Sequence, residues 1–368
     1  MKIILAFDSF KGSLTAEEAV NAAAKGIIKV CPHAKIIRLP MADGGEGTTE
    51  AICKSLKTKW TTCPAHDPFM RPIISKYAIT TDGTTAIMEM AAAAGLTLLD
   101  ETERNPMRTT TYGVGEMIAN AIEKGCKKIL IGIGGSATND CGMGMLAALG
   151  GKIETKKERL SYPKGQDCKD ITTIDLSNIS LQEIEINAIC DVTNPLFGKE
   201  GAAYVYGKQK GASEKEIEIL DKGLQNVANI CGINPNYPGS GAAGGFGYGL
   251  ALIGATLKKG VDVIIEAAKL EEHLKGADMV ITGEGKVDNQ TLNNKLPFGV
   301  MKVAQKHHIP TIALAGKVAN REELLAAGFH AIHCINEDDM PLTECMNSTI
   351  AKKHLTETTG KLCITLKN

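Results

Sequence analysis

Aromatic side chains are scarce in this sequence: Phe, Trp and Tyr together make up 4% of it, with a single Trp. That poverty, beside 43% hydrophobic residues and 39 glycines, fits an Ala, Gly, Ile and Leu rich α/β enzyme better than an all-β module. An excess of either charge is also missing, because 41 Lys and Arg meet 42 Asp and Glu for a formal net charge of -1. Neither nucleic acid nor an anionic membrane is therefore indicated as a partner, and any phosphate contact must be local. The opening MKIILAF run stops at Asp8, too short for a signal peptide or a membrane span. The 11 cysteines are scattered and hold no C-x-x-C pair, so they are expected to be reduced thiols filling the core of a cytoplasmic protein. No Walker A sequence, zinc-ligand spacing, GxSxG elbow or kinase Gly-rich loop occurs, and the eight histidines form no metal-like set.

What is present is a repeated local pattern, an apolar run followed by a loop of glycine and small polar residues. The fullest example is Lys127 to Leu149. Ile129 to Ile133 reads as a buried strand, followed by the turn Gly134, Gly135, Ser136, Ala137, Thr138, Asn139, Asp140. Cys141 to Leu149 is expected to begin a helix whose free N–H groups point at a ligand held close to the glycine backbone. Asp8 to Gly12, Asp43 to Gly47 and Gly283 to Lys286 each follow an apolar run in the same way. One such turn is equally well a plain strand-to-helix connection. Four in one chain suggest a shared site.

Ile3 to Phe7 reads as a strand, and Thr15 to Glu18 as a capping box opening a helix toward Val30. Lys35 to Leu39 and a helix from about Gly47 to Leu56 make a second βα unit. From Trp60 the rhythm changes to short strands at 61–63, 73–80 and 85–90, joined at Pro64, Pro68 and Pro72. Thr110 to Lys124 reads as a helix, 152–180 as irregular, Ile184 to Cys190 as a strand and Glu214 to Ile230 as a helix. Gly239 to Gly247 holds five glycines in nine residues, a flexible hinge or a further backbone cradle. After residue 260 the βα rhythm returns, with strands at 279–282, 311–314 and 331–335 and helices at 298–308 and 322–327. The expectation is a Rossmann-like, doubly wound parallel sheet domain built from both chain ends (1–60 plus 260–368), with a mixed α/β domain inserted at 61–259.

Asp8, Asp43, Asp140, Asp191, Glu284 and Asp288 are all expected in loops just beyond strands, where side chains converge at a sheet's carboxyl edge. Each alone is as well read as a helix cap. Together they supply what phosphoryl transfer needs: a carboxylate to orient the attacking hydroxyl, one or two to hold Mg²⁺, and Lys11 and Lys286 to neutralise the moving phosphate. Arg71 and Arg108 are candidates to grip a small carboxylate in a bidentate contact.

Eight ordered blocks carry a family likeness. They are DSFKGSLTAEE from Asp8, PMADGGEGT from Pro40, RTTTYGVGE from Arg108, GIGGSATND from Gly132, CDVTNPL from Cys190, YGKQKGA from Tyr206, GSGAAGGFGYGL from Gly239 and ITGEGKVDNQTL from Ile281. Together they resemble the glycerate kinase type-1 family, with departures at Phe7, Cys141, Met143 and Asn294. The resemblance implies ATP-dependent, Mg²⁺-requiring phosphorylation of D-glycerate, with 2-phosphoglycerate favoured over 3-phosphoglycerate. On this reading Asp191 is the base or hydroxyl-orienting group, with Asp8, Lys11 and Asp288 as further catalytic residues. Substrate or nucleotide is assigned to Ser9, Asp43, Gly44, Gly45, Arg71, Arg108, Gly134, Gly135, Ser136, Thr138, Asn139, Asp140, Asn194, Gly283, Glu284 and Lys286, and metal to Asp43, Asp191 and Asp288. An oligomer is left open. The rival classes are a non-catalytic hydroxy-acid or nucleotide sensor and an NAD-dependent 2-hydroxy-acid dehydrogenase. The dehydrogenase lacks the GxGxxG and downstream acid that its cofactor needs.

Overall fold

The computed structural model describes residues 1–41, 49, 52, 53, 56–293, 295–337 and 340–365. Asp43, Gly44, Gly45 and Asn294, with most of the helix expected at 47–56, lie outside these residues. Among the described residues the strands, in chain order, are β1 (Lys2–Phe7), β2 (Lys35–Pro40), β3 (Thr58–His66), β4 (Pro72–Thr80), β5 (Thr85–Glu89), β6 (Lys128–Gly132), β7 (Lys152–Thr155), β8 (Ile171–Asp175), β9 (Glu185–Ile189), β10 (Thr256–Lys258), β11 (Met279–Val287), β12 (Thr311–Val318) and β13 (Ala331–Cys334). The chain divides into two compact units, Met1–Leu56 with Gly260–Asn368, and Lys57–Lys259.

The first unit carries a five-stranded sheet in the order β13-β12-β11-β1-β2, with every pairing parallel. Ile3, Ile4, Leu5, Ala6 and Phe7 are all fully buried, as a strand covered on both faces requires. From β1 the chain steps to β2 on one side, and from β11 to β12 and β13 on the other. The order therefore reverses between β1 and β11, which is where an open α/β sheet leaves a crevice at its carboxyl edge. This is the doubly wound sheet expected from both chain ends.

Two of its features depart from the sequence reading. β11 does not stop at Thr282 but runs to Val287, so Gly283, Glu284, Gly285 and Lys286 are strand and not loop. Parallel pairing of Glu284 with Ala315 and Lys286 with Lys317 overrides the weak strand tendency of glycine and charged residues. The second is an unanticipated helix, Ser348–Thr365, packed along helix Ala16–Val30. Its polar composition hides a stripe of Ala351, Leu355, Thr359 and Cys363, buried at four-residue spacing. Thr356 and Thr359 hydroxyls donate to the carbonyls of Ala22 and Ala23, and Lys352 pairs with Glu18 at 2.7 Å. That same Glu18 closes the capping box with Thr15.

The second unit holds a six-stranded sheet in the order β10-β9-β6-β5-β4-β3. β3, β4 and β5 pair antiparallel, whereas β5, β6, β9 and β10 pair parallel. Pro64 lies inside β3 and not at a turn, tolerated because β3 is an edge strand. The region read as irregular contains the antiparallel pair β7 and β8. Tyr112–Glu123 and Glu214–Cys231 are helices, close to expectation.

A Cβ built on Gly26 would stand 2.0 Å from the backbone oxygen of Thr356, whereas one on Gly360 would meet nothing closer than 3.4 Å. Gly26→Ala should therefore destabilise by about 1–3 kcal/mol through overpacking, while Gly360→Ala should stabilise by about 0.5–1 kcal/mol through helix propensity. Urea unfolding measures both, and equal shifts of the same sign would contradict this helix pairing.

Candidate active site

In the first unit the chain leaves β1 at Asp8, which is 1% exposed. The Asp8 amide donates to the Gly283 carbonyl at 3.0 Å, and the Ser9 amide donates to Asp8 Oδ1 at 2.6 Å. The loop then turns back on itself, Phe10 N–H to the Leu14 carbonyl at 2.9 Å, with Gly12 at φ +82°. β11 approaches this loop closely because residue 285 has no side chain; a Cβ there would be 3.2 Å from the Lys11 nitrogen.

Along β11, Glu284 accepts from the Thr291 hydroxyl at 2.8 Å and faces Lys295 at 3.6 Å. Just past the strand, Asp288 pairs with Lys286 at 2.7 Å and accepts from the Gln290 amide at 2.9 Å. The Lys286 ammonium, chiefly, holds the Asp288 carboxyl below its ordinary pKa, so this acid is ionised at neutral pH. Asp8, Ser9, Lys11, Gly283, Glu284, Lys286 and Asp288 are thus gathered on one carboxyl rim, at the point where the strand order reverses. A cavity of about 640 Å³ opens there, with Ser9, Lys11, Glu284 and Lys286 in its wall. The sequence reading missed Lys295, Lys317 and Arg321 in the same wall, because lysines and arginines after a strand look like ordinary surface residues until the strands are ordered.

In the second unit the turn after β6 is held from several sides. Ala137 N–H donates to the Ala94 carbonyl at 2.8 Å, and the Thr109 hydroxyl donates to the Ala137 carbonyl at 3.0 Å. Lys210 Nζ, itself buried, donates to Ser136 Oγ at 2.8 Å and to the Thr138 carbonyl at 2.7 Å. Asp140 accepts from the amide and hydroxyl of Thr111 (2.7 and 2.8 Å) and from the amides of Gly142 and Gly144 (both 3.1 Å). The expected set of free helix N–H groups is therefore absent at Gly142 and Gly144. The helix itself is shorter than expected, Met143–Ala148. Only Gly134 and Gly135 of the turn are exposed; Ser136 to Asp140 are buried. The Thr138 hydroxyl and both amide atoms of Asn139 are buried without a partner.

The glycine-rich stretch is scaffold, not hinge. It enters helix Ala242–Leu252 through left-handed backbone at Ala243, Gly244 and Gly245. A Cβ on Gly244 would fall 2.0 Å from the Thr138 carbonyl oxygen, so the missing side chain lets two backbones touch. Cys141, one of the departures from the family pattern, sits at φ +56°, a region costly for a residue with a Cβ.

The remaining expected residues are more dispersed within this unit. Asp191 is exposed at the carboxyl end of β9, the strand beside β6, where Ile133 N–H donates to the Ile189 carbonyl at 3.4 Å. Asn194 spends its amide on the Glu200 carbonyl and the Tyr206 hydroxyl. Arg71 is engaged by Asp67 and Glu103. Arg108 is exposed, its guanidinium 5.6 Å from the Phe69 ring centroid, and makes no ion pair among the described residues. Lys210 had drawn notice only as part of a family block.

A parallel α/β sheet whose carboxyl rim gathers carboxylates, ammonium groups and close-packed glycine backbone beside a cavity defines an enzyme of the small-molecule phosphotransferase class. The chain belongs to the glycerate kinase family, whose family model, described as the Glycerate kinase family, matches residues 3–367. It is 42% identical over 329 residues to the glycerate 2-kinase of Escherichia coli K12, covering 87% of this chain and 86% of that one. It is 40% identical to the glycerate kinase of Halalkalibacterium halodurans, covering 94% and 93%. A crystal structure from Salmonella typhimurium LT2, provisionally assigned as glycerate kinase 2, superposes with a TM-score of 0.81 at 38% identity, covering 100% of this chain and 98% of that one.

Burial pulls the Lys210 pKa down to about 7, with Asp140 opposing, and burial pushes Asp140 up. The unfolded chain then binds a proton at Lys210 that the folded chain has released, so this group makes stability rise with pH above about 7 until the ordinary lysine value of roughly 10.4 is passed. Lys210→Met should flatten that rise in urea unfolding at pH 7 to 10. Buried cysteines and tyrosines titrate in both proteins, so the difference between the two curves isolates Lys210, and superimposable pH dependences would contradict the assignment.

Proposed function

We propose that the protein transfers the γ-phosphoryl group of ATP to a hydroxyl of D-glycerate, with 2-phosphoglycerate favoured as the product. The observation that carries this reading is the gathering of Asp8, Glu284 and Asp288 with Lys11, Lys286 and Lys295 on one rim. Phosphoryl transfer asks a protein mainly for positioning and for charge around a moving PO₃ unit. Lys11 and Lys286 would neutralise that unit, and Asp191 would orient the attacking hydroxyl. Arg108, exposed and not ion-paired among the described residues, is the more available of the two arginines to grip a carboxylate, since Arg71 is held by Asp67 and Glu103. The similarity to a relative named glycerate 2-kinase supports attack by the C2 hydroxyl. All 11 cysteines are free thiols, which fits the reducing cytoplasm where we place the protein.

Among the described residues no group of three or more His, Cys, Asp and Glu side chains is placed to hold a metal by itself. Mg²⁺ in such enzymes needs only one or two carboxylates, with waters and phosphate oxygens completing its shell. Asp288, kept ionised beside Lys286, fits that demand; Asp191 is the other described candidate, and Asp43 lies outside the described residues. Once bound, the ion would supply positive charge to the phosphate oxygens.

A coupled ADP-release assay with D-glycerate tests the activity, and phosphorus NMR of the product separates the 2-phosphate from the 3-phosphate. Asp191→Asn and Asp288→Asn should each lower kcat by about 100-fold or more. Near-native kcat in both variants would refute the role assignment, and no ADP release with D-glycerate would refute the activity.

A further inference from the structure

Glu89 is the one charged residue of β5, and it closes the strand. Ile87, Met88 and Met90 around it are no more than 1% exposed, whereas Glu89 is half-buried. In register it stands beside Gly132 of β6, which in turn stands beside Ile189 of β9. A strand-end acid kept only for solubility would extend into water. This one is laid across the neighbouring strand: a Cβ on Gly132 would fall onto the Glu89 carboxylate, 2.8 Å from Cδ and 3.0 Å from Oε1. The carboxylate therefore rests on the bare backbone of β6, a place that only glycine leaves open.

The ground around it is fixed. The Met90 amide donates to the Gly132 carbonyl at 2.8 Å, the Leu96 amide to the Gly135 carbonyl at 2.9 Å and the Ala137 amide to the Ala94 carbonyl at 2.8 Å. These bonds tie the segment after β5 to the turn after β6. Beyond Gly132 that turn opens outward, since Gly134 and Gly135 are exposed and a Cβ on Gly134 would meet nothing within 4 Å. On the other side β9 ends and Asp191 is exposed. β6 lies between β5 and β9, which are therefore two strand spacings apart, roughly 10 Å. The Glu89 side chain spans the first of those spacings. Glu89 and Asp191 thus flank the exit of β6 at the carboxyl edge of the sheet, where α/β proteins hold their ligands.

A carboxylate accepts hydrogen bonds and donates none. Facing a hydroxy acid, it attracts a hydroxyl and repels the substrate's own carboxylate, so it sorts one end of the molecule from the other. Glu89 already makes an interaction within the fold, but a carboxylate offers about four acceptor sites, and one contact does not exhaust them. We propose that Glu89 binds the hydroxyl of D-glycerate that is not phosphorylated, while Asp191 orients the one that is. Glu89 thereby selects a dihydroxy acid over its monohydroxy analogue, because an acceptor built for a hydroxyl is left unmet when that hydroxyl is missing. The inference rests on the kinase reading above and extends it to a residue outside the eight sequence blocks.

Steady-state kinetics on the full chain test it, with D-lactate as competitive inhibitor, since it keeps the 2-hydroxyl and lacks the 3-hydroxyl; if the product is the 3-phosphate, 3-hydroxypropanoate takes its place. Glu89→Ala should lower kcat/KM for D-glycerate about 10-fold or more, the factor that a hydrogen bond to a charged group is worth, while the inhibition constant of the analogue stays the same or falls. Gly132→Ala is an independent perturbation, because its Cβ displaces the flexible end of Glu89 and meets no backbone closely. It should reproduce the loss in the unaltered chain and add less than about twofold in the Glu89→Ala background, as expected of two residues acting through one contact. Near-native kcat/KM in Glu89→Ala, equal weakening of D-glycerate and the analogue, or additive losses from the two substitutions would each overturn this inference and leave the kinase reading standing. No turnover of D-glycerate by the unaltered chain would overturn that reading and this inference with it.

Discussion

The parallel pairing of β1 with β11 is the constraint on which the first unit and its site depend. Ile3 to Phe7 lie in register with Met279 to Gly283, so strands 276 positions apart in sequence become neighbours. The Thr282 hydroxyl, fully buried, donates to the Ala6 carbonyl at 2.6 Å, and the Asp8 amide donates to the Gly283 carbonyl. These bonds fix where the loop after β1 begins relative to the end of β11. Asp8, Lys11, Glu284 and Asp288 can share one rim only while that register holds. A one-residue slip would turn every side chain of a strand to the opposite face, and Glu284 and Lys286 would leave the cavity.

The second unit shows a different economy. Its most conspicuous loop, Gly134 to Asp140, exposes only two glycines and hides its polar side chains. Asp140 binds the backbone at Thr111, Gly142 and Gly144, and Lys210 binds Ser136 and Thr138. A lysine and an aspartate that are both buried are costly unless each is well supplied with partners. Here they are spent on holding a turn in one conformation. The glycines after residue 239 serve the same end, since they let helix Ala242–Leu252 lie against the turn without side chains intervening. Residues that look like ligand contacts in a linear motif are thus, in part, the frame that aims a small exposed edge.

Much of this was legible in the sequence where local chemistry is decisive. The run Ile3 to Phe7, the Thr15 and Glu18 box, the helix from Glu214 and the strand before Asp191 all declare themselves by periodicity and capping, and the return of βα rhythm after residue 260 pointed to one sheet from both ends. What escaped was set by tertiary contact. Glycine and charge at 283–286 gave no strand signal, because pairing with β12 supplies what propensity lacks. Helix Ser348–Thr365 was masked by lysines and threonines, although its inner stripe repeats every four residues. Lys210 is separated from Ser136 by 74 positions, and no pattern along the chain joins them. The same holds for Lys317 and Arg321, whose placement follows from strand order alone.

The central claim is that phosphoryl chemistry takes place at the carboxyl ends of β1 and β11. A crystal structure of the full chain with a non-hydrolysable ATP analogue and D-glycerate tests it most directly. The account predicts the terminal phosphate within contact distance of Lys11 and beside Asp288. A terminal phosphate bound away from both residues would contradict it.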